Sequence, residues 1–247
     1  MTGTLAAIWR YPVKGIGAEA LDAATLAADR PVPGDRAWAL LREGVAATGG
    51  WQHCSGFLRG ANGPSLMAVT ARTLDDWLEL THPDRPPLRF DPATEGARLV
   101  DWVAPLWPAG LPRPAGLVRA PETGMSDMDF PSVSVLNTAS LAALAHALDR
   151  PALDPRRFRG NLWVDGWDAW AEFDLVGRRV TVGDAVLEIV QRNTRCLATH
   201  ANPDTGVRDA DVLRTLSAQW GHRDFGVYAR VVQGGDIVPG APVRVLP

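Results

Sequence analysis

Short apolar segments separated by glycine and proline recur along almost the whole chain. The first three are Thr4–Tyr11, Ala20–Leu26 and Asp35–Leu41, and turn-forming residues such as Pro12 and Gly34 divide them. Many short strands at this spacing are typical of a β-barrel or β-sandwich. The sequence therefore predicts a mostly β protein with a few helices, of the α+β class.

The first half continues this pattern and then loses it. We predict further strands at Leu66–Ala71 and Asp76–Leu80, which a group of three prolines ends, and a short helix at Arg98–Trp107. Residues Pro112–Asp129 are polar and show no periodicity, which favours a long loop between two halves. We accordingly divide the chain into a first β domain, residues 1–115, and a second domain, residues 116–247.

The second half combines strands with the clearest helices. Apolar residues at helical spacing predict helices at Thr138–Leu148 and Asp211–Trp220, and Asn137 or Thr138 can cap the first of them. The predicted strands of this half are Ser132–Leu136, Asn161–Val164, Arg178–Val182, Ala185–Gln191, Phe225–Val232 and Val243–Leu246.

The composition argues against several classes of function. A formal net charge of -3 and an isoelectric point near 5.9 provide no basic surface for nucleic acid. No apolar stretch approaches the roughly 20 residues that a membrane helix needs, and the first residues lead into a strand pattern rather than a signal peptide. We therefore expect a cytoplasmic protein that binds neither nucleic acid nor membrane.

Two residue counts single out individual side chains. Cys54 and Cys196 are the only cysteines, so the chain offers neither a disulfide framework nor a cysteine cluster for zinc or iron–sulfur. Lys14 is the only lysine, and the other 24 of the 25 basic residues are arginines. A genome rich in G and C explains the arginine bias, which makes the one remaining lysine a candidate functional residue.

Cys196 lies where a predicted strand runs into a polar loop, and such loops often carry function. Arg195 precedes it directly and Arg192 lies four residues before it, and nearby cations favour the thiolate that binds soft metals. The other interpretation is a small buried apolar residue. His200 and Asp204 suggest a Cys-His-Asp triad, but no nucleophile-elbow or protease signature accompanies them.

Three arginines precede the strand at Asn161, in the segment Pro155–Asn161. Guanidinium groups bind phosphate or carboxylate through paired hydrogen bonds, and a glycine beside them lets a ligand approach the backbone. Such a run is also typical of a solvated surface. Lys14 and Arg36 follow turns elsewhere. If the fold brings them together with these arginines, they would form a cationic pocket for an anionic cofactor, but the sequence alone does not bring them together.

Six motifs, in order, resemble the MOSC proteins, a family that shares a domain with molybdenum cofactor sulfurase and includes amidoxime-reducing members. Two of them, I-W-R-Y-P-V-K-G at 8–15 and G-D-R-A-W-A-L at 34–40, are similar to the family's N-terminal β domain. The rest are similar to the MOSC β-barrel domain: S-V-L-N-T-A-S-L, R-F-R-G-N, N-T-R-C-L-A-T-H-A-N-P-D-T-G, and F-G-V-Y-A followed by G-D-I-V-P-G-A-P-V.

This resemblance implies a molybdenum–molybdopterin cofactor with Cys196 as the protein ligand to the metal and the catalytic residue. The pterin's dithiolene supplies the other sulfur ligands. The residues that the resemblance assigns to the cofactor are Lys14, Arg36, Asn137, Thr138, Arg159, Asn193, Thr194 and Arg195. Gly15 stands where the mitochondrial members carry a serine, so that side-chain contact is missing.

The implied reaction removes oxygen from N-hydroxylated small molecules such as amidoximes and hydroxylamines. The chain shows no membrane anchor before the domain and no ferredoxin-type cysteines after it, so we expect a separate electron-donor protein. Asp204, Asp209 and His200 are candidate proton donors. The alternatives are a carrier of the cofactor or of a persulfide without reductase turnover, and a non-enzymatic interaction module; cofactor content and turnover separate the three.

Overall fold

Strands dominate the computed structural model, which describes all of residues 1–247. This confirms the predicted mostly β, α+β class with few helices. The strands are β1 (Thr2–Arg10), β2 (Glu19–Leu21), β3 (Ala24–Leu26), β4 (Trp38–Arg42), β5 (Thr70–Leu74), β6 (Trp77–His82), β7 (Arg85–Phe90), β8 (Pro114–Arg119), β9 (Val133–Asn137), β10 (Leu162–Asp165), β11 (Arg179–Val182), β12 (Ala185–Thr194), β13 (Asp224–Gln233), β14 (Gly235–Ile237) and β15 (Pro242–Val245). The helices are α1 (Gly96–Val103), α2 (Thr138–Ala147) and α3 (Val212–Trp220).

Seven strands close into a barrel in the order β1-β10-β9-β13-β12-β11-β15, with β15 paired back to β1. Closure leaves no unpaired edge in the ring, and β2 extends it outward from β1. Alternate residues of each strand fill the interior, among them Leu5, Ile8, Val135 and Val227, all fully or almost fully buried. The barrel core is therefore packed and provides no ligand channel.

A smaller module covers one side of the barrel. The sheet β5-β6-β7 and the pair β4-β8 pack with α1 around a second apolar core that includes Leu66, Leu80, Phe90 and Trp102. The chain crosses between the two parts, because β1 at the start of the sequence is a barrel strand and β3 pairs with β14. The division at residues 115 and 116 stays a prediction; β8 spans it.

Both predicted helices of the second half are confirmed and lie against the outside of the barrel. The Asn137 side chain caps α2 by accepting from the Ala139 N–H at 3.0 Å, and Gly221 ends α3 in the left-handed conformation. Leu144 and Leu216 from the two helices pack with Phe225 on the barrel wall.

Several predicted elements differ in the structure. The predicted strand Ala20–Leu26 is two strands, since a bend at residues 22–23 sends β2 and β3 to different partners. Residues Pro64–Ala68 form a 3-10 turn because proline is well placed at a first helical position, and the strand begins only at Thr70. Strand β4 likewise begins at Trp38 rather than Asp35.

Two predicted breaks are wrong. The prolines of β7 do not end the sheet, because β7 is an edge strand and its missing N–H groups need no partner. The predicted loop Pro112–Asp129 contains β8, which pairs antiparallel with β4. The predicted helix Arg98–Trp107 is α1, which begins two residues earlier and continues as a 3-10 turn through Leu106.

None of the three helices has the length and apolar character needed to cross a bilayer, and the longest has ten residues. The expected cytoplasmic location stays a prediction.

Candidate functional site

A cavity lies between the outer wall of the barrel and the smaller module. Successive residues of a strand point to opposite faces. Ser134 lies between the core residues Val133 and Val135 and therefore points outward into the cavity wall, and Tyr228 does so on β13. The lining residues are Lys14, Gly15, Arg36, Arg59, Gly60, Ala61, Asp127, Ser134, Arg157, Phe158, Arg159, Asn193, Thr194, Arg195, Cys196, Ala198, Thr199 and Tyr228.

The fold brings most of the predicted site residues to this cavity. They come from four separate parts of the chain: the segment after β1, the turn before β4, the segment before β10 and the end of β12. The predicted residues that line the cavity are Lys14, Arg36, Arg159, Asn193, Thr194, Arg195 and Cys196.

Lys14 is 4% exposed and its ammonium group is held by two acceptors. The Lys14 Nζ donates to the Met125 carbonyl at 2.9 Å and to the Asp127 carboxylate at 2.5 Å. Burial lowers the pKa of Lys14, and the ion pair with Asp127 opposes that shift. The positive charges of Lys14, Arg36 and Arg159 hold the pKa of Asp127 below its usual value.

Arg36 and Arg159 both stack on the ring of Tyr11, with guanidinium carbons 5.1 and 4.3 Å from its centroid. Arg36 pairs with the buried Asp35 and donates to the Arg159 carbonyl at 2.9 Å. Although burial alone would lower it, the Asp35 carboxylate holds the pKa of Arg36 above its usual value.

Arg159 has no carboxylate partner. Its guanidinium donates to the carbonyls of Gly17 at 3.1 Å, Val13 at 3.3 Å and Ile16 at 3.5 Å, which ties the segment after β1 to the barrel. Burial at the floor of the cavity and the nearby charge of Arg36 lower the pKa of Arg159 to about 10, so it stays protonated at neutral pH.

Arg195 and Asn193 form the other side of the floor. The Arg195 guanidinium donates to the carbonyls of Phe158 and Phe225, each at 2.8 Å, and burial lowers its pKa to about 10. One orientation of the Asn193 amide forms hydrogen bonds to both of its polar neighbours. In it, Oδ1 accepts from Arg195 at 3.0 and 3.2 Å and Nδ2 donates to the Tyr228 hydroxyl at 3.1 Å. Burial raises the pKa of Tyr228 to about 12, so this phenol keeps its proton at neutral pH.

Cys196 lines the cavity and is exposed, immediately before a 3-10 turn over Leu197–His200. Its backbone is extended, which allows the chain to leave β12 and turn across the cavity. The interpretation of Cys196 as a small buried residue is therefore wrong. The neighbouring Thr194 side chain donates to Asp224 at 2.6 Å.

The structure does not bring Asn137 and Thr138 to the cavity. They lie at the end of β9 remote from Ser134, where β9 passes into α2. The Asn137 amide is fully buried and donates to Glu172 at 3.0 Å, while Thr138 donates to Asp165 at 2.6 Å. These contacts give Asn137 and Thr138 a structural role at the start of α2, and neither residue lines the cavity.

The suggested Cys-His-Asp triad is not formed. The His200 ring accepts from the Leu213 N–H at 3.2 Å, and Asp204 pairs with Arg156 at 2.6 Å. Arg192 also lies away from the cavity, where its guanidinium is 4.3 Å from the ring centroid of Phe173. Of the two arginines expected beside Cys196, only Arg195 lines the cavity with it.

The arginine run before β10 divides into different roles. Arg157 lines the cavity and pairs with Asp209 at 2.6 Å. None of the three predicted proton donors, Asp204, Asp209 and His200, lines the cavity. Gly160 allows close packing rather than ligand approach, because a Cβ there would lie 1.9 Å from the Leu136 side chain.

Several cavity residues could not be identified from the sequence, among them Arg59, Asp127 and Tyr228. Asp127 pairs with a lysine 113 residues away, and nothing local to either residue indicates this pairing. Tyr228 had a detectable signal, since it is the one polar-tipped residue between the core residues Val227 and Ala229. Arg59 lies in an irregular segment without any such pattern.

The cavity carries an excess of positive charge. Lys14, Arg36 and Arg157 have carboxylate partners, whereas Arg59, Arg159 and Arg195 have none. No group of three or more His, Cys, Asp or Glu side chains is placed to hold a metal ion. The arrangement therefore suits an anionic ligand next to a single exposed thiol.

Comparison with known proteins identifies relatives at modest identity. The chain is 35% identical to mitochondrial amidoxime-reducing component 1 of Mus musculus over 124 residues, 45% of this chain and 36% of that protein. The Homo sapiens protein of the same name is 30% identical over 161 residues, 60% and 47% of the two chains. Molybdenum cofactor sulfurase of Anopheles gambiae is 40% identical over 83 residues, 32% of this chain and 10% of that protein. The chain thus matches less than half the length of these relatives.

Among solved structures, YuaD from Bacillus subtilis aligns with a TM-score of 0.48 at 14% identity, covering 99% of this chain and 96% of that chain. Two family models match the sequence itself: the MOSC N-terminal beta barrel domain over residues 2–104 and the MOSC domain over residues 127–244. Together they cover most of the chain and both sides of the cavity, and the chain belongs to the MOSC family.

Proposed function

We propose that this protein binds a molybdenum–molybdopterin cofactor in the cavity, with Cys196 as metal ligand, and reduces N-hydroxylated small molecules. The observation that carries the proposal is three guanidinium groups without carboxylate partners beside one exposed cysteine. A pterin phosphate and its dithiolene are anionic, and a thiolate is the soft donor that suits such a metal.

Two further features of the cavity residues fit the molybdenum–molybdopterin cofactor. The Nε atoms of Arg59 and Arg157 are buried without a hydrogen-bond partner within the protein, so both cavity residues have a donor available to a ligand. With no other His, Cys, Asp or Glu cluster available, Cys196 is the one protein ligand, and the cofactor brings the rest. Lys14, Arg36, Arg159, Asn193, Thr194 and Arg195 surround the cofactor; Asn137 and Thr138 do not.

When bound, the cofactor supplies two-electron redox chemistry. The residues of this chain provide binding, orientation and hydrogen bonding. Arg195 is held by two carbonyls and in turn holds Asn193, so the wall next to Cys196 is rigid. No protein acceptor receives the hydroxyl proton of Tyr228, which leaves it free for a ligand in the cavity.

The net reaction breaks the N–O bond of an amidoxime or hydroxylamine. Two electrons and two protons enter, and the reduced nitrogen compound and water leave. The electrons come from a separate electron-transfer protein, as we expect from the sequence. Tyr228 lines the cavity and carries its proton at neutral pH, so it replaces Asp204, Asp209 and His200 as the candidate proton donor.

The test is the molybdenum and pterin content of protein purified from a host that makes the cofactor, followed by turnover of benzamidoxime with a chemical reductant. Near-stoichiometric cofactor together with turnover supports the proposal. Bound cofactor without turnover favours the carrier of cofactor or persulfide. Neither metal nor pterin, from a host shown to load a relative, overturns the proposal in favour of an interaction module.

A further inference from the structure

An open groove on the surface of the protein runs along the outward face of α3, outside the cavity. Its other wall is the 3-10 turn Leu197–His200, which follows Cys196 directly. The residues on which the argument depends are Leu197, Asp211, Leu213, Arg214, Ala218 and Arg223. None of the residues that line this groove also lines the cavity.

The 3-10 turn is the partition between the groove and the cavity. Cys196 lines the cavity, whereas the next residue, Leu197, lines the groove. A second connection is made by the backbone, because the Arg195 N–H donates to the carbonyl of Arg223 at 2.9 Å, and Arg223 also lines the groove. A molecule seated in the groove is therefore separated from the thiol by one residue of chain and leaves the cavity open.

The groove exposes apolar surface that the fold itself does not cover. Leu197 is 45% exposed, a large fraction for an apolar side chain in an ordered turn. Leu213 and Ala218 of α3 line the same groove, because Val212 and Leu216 occupy the inward face of the helix and are buried. An apolar patch with a polar rim is typical of a surface that binds another protein.

The rim of this patch carries arginines without acidic partners. Arg214 is exposed, and its guanidinium makes no hydrogen bond or ion pair. The guanidinium of Arg223 contacts only the Ser217 hydroxyl, at 3.4 Å. Asp211 is the one carboxylate that lines the groove, and it lies 3.8 Å from His200. Two positive charges thus face one negative charge, in a chain whose net charge is -3, and this local excess favours an acidic partner.

We propose that the groove is the docking surface for the electron-donor protein, which is a small acidic one-electron carrier. Carboxylates of the donor pair with Arg214 and Arg223, and an apolar side chain beside its redox centre packs on Leu197. This arrangement sets the redox centre of the donor next to the peptide unit that leads to Cys196.

The electron balance requires two docking events for each turnover. Two reduced donor molecules bind in succession, and each is oxidised by one electron. Together they supply the two electrons that cleavage of the N–O bond consumes, and two protons come from solvent. The inference rests on the proposed function for the purpose of docking, which is electron delivery, but not for the binding itself.

The first experiment measures binding of a plant-type [2Fe–2S] ferredoxin, an acidic one-electron carrier, to the full chain at low ionic strength. We expect wild type to bind it, and Arg214→Glu/Arg223→Glu to raise the Kd by about tenfold or more. Arg72→Glu/Arg89→Glu is the matched control, since it makes the same change in net charge at exposed positions of β5 and β7. Circular dichroism checks that each variant is folded.

Two results of this titration overturn the inference. One is wild type that does not bind ferredoxin, and the other is an equal Kd in the two double variants. Sedimentation of the protein alone tests a different occupant. A wild-type dimer that Arg214→Glu/Arg223→Glu dissociates would assign the groove to a second copy of the chain, which also overturns the inference.

The second experiment compares two reductants in protein loaded with cofactor, with benzamidoxime as substrate. We expect Arg214→Glu/Arg223→Glu to slow turnover with limiting reduced ferredoxin by about tenfold, and to leave turnover with reduced methyl viologen unchanged. An equal effect on both rates contradicts docking in the groove. Wild type without turnover from methyl viologen contradicts the proposed function instead, and the Kd for ferredoxin still decides whether the groove binds an acidic carrier.

Discussion

Arg195 and Cys196 are consecutive in the sequence but face different surroundings. The Arg195 guanidinium is fixed by the carbonyls of Phe158 and Phe225, whereas Cys196 is exposed on the cavity wall. The strand β12 ends just before them, so the arginine anchors the chain and the cysteine begins the turn that follows. This arrangement presents a thiol on a rigid support.

We expect Cys196→Ser to lose bound molybdenum while the fold is retained, because the exposed sulfur packs against no core. Metal analysis with circular dichroism measures both properties. Cys54→Ser is the matched control, since Cys54 does not line the cavity. Equal metal content in wild type and Cys196→Ser would contradict the assignment of the ligand.

We expect Arg159→Met to lower the free energy of unfolding by about 3 kcal/mol, because it leaves the carbonyls of Val13, Ile16 and Gly17 without their donor. Arg156→Met, in the same segment, is expected to cost about 1 kcal/mol, since its carboxylate partners Asp154 and Asp204 are 25% and 71% exposed. Urea unfolding followed by tryptophan fluorescence measures both. An equal loss of unfolding free energy in the two variants would contradict the role of Arg159 in joining the segment after β1 to the barrel.

We expect Gly15→Ala to destabilise the protein more than Gly49→Ala. Both glycines have φ near +75°, so each substitution carries backbone strain of about 1–2 kcal/mol. Only at Gly15 does a new Cβ also meet the Leu58 carbonyl at 2.8 Å, whereas nothing lies within 4 Å at Gly49. The difference in unfolding free energy between the two variants measures the cost of the contact between the new Cβ and the Leu58 carbonyl. Equal unfolding free energies would mean that the Leu58 segment moves away at no cost.

We expect the stability of the protein to depend on pH through Glu172. Burial raises the pKa of Glu172 above its usual value of 4.5, against hydrogen bonds from Asn137 and Ser140 that lower it. A raised pKa in the folded state means that the stabilising contribution is present below pH 4.5 and is lost as the pH rises through the folded-state value. The unfolding free energy of wild type should therefore fall relative to that of Glu172→Gln above pH 4.5.

Urea unfolding at a series of pH values from 4.5 to 8 measures how the unfolding free energy changes with pH. Glu43→Gln is the control, because it makes the same substitution at an exposed position. Parallel curves for wild type and Glu172→Gln would show that Glu172 does not contribute to the pH dependence.

Local sequence signals predicted much of the fold. Apolar periodicity placed α2 and α3, and the sequence limited the N-cap of α2 to Asn137 or Thr138, of which the structure shows Asn137. Alternation of residue types also placed most barrel strands within a few residues. The predictions failed where pairing with a distant strand determines the local structure. Strand β7 accommodates its prolines because it is an edge strand, and β8 is a strand because β4 pairs with it.

The candidate site was predicted only in part for the same reason. Motif resemblance indicated Lys14, Arg159 and Cys196, and the structure brings them to one cavity. Family resemblance also suggested Asn137 and Thr138, which the turn into α2 directs to the other end of β9. The cofactor role of Cys196 stays a prediction, which the metal analysis of Cys196→Ser tests.

The sequence by itself determined the strand-rich class, the two helices of the second half and the polar loop that carries Cys196, because these depend on backbone preferences within a few residues. Tertiary structure alone decided that Asp127 neutralises Lys14 and that Arg59 has no oxygen partner. Those properties depend on which distant segments become neighbours when β1 joins the barrel. Closure of a barrel is set by the packing of all its strands together, and no local pattern contains that information.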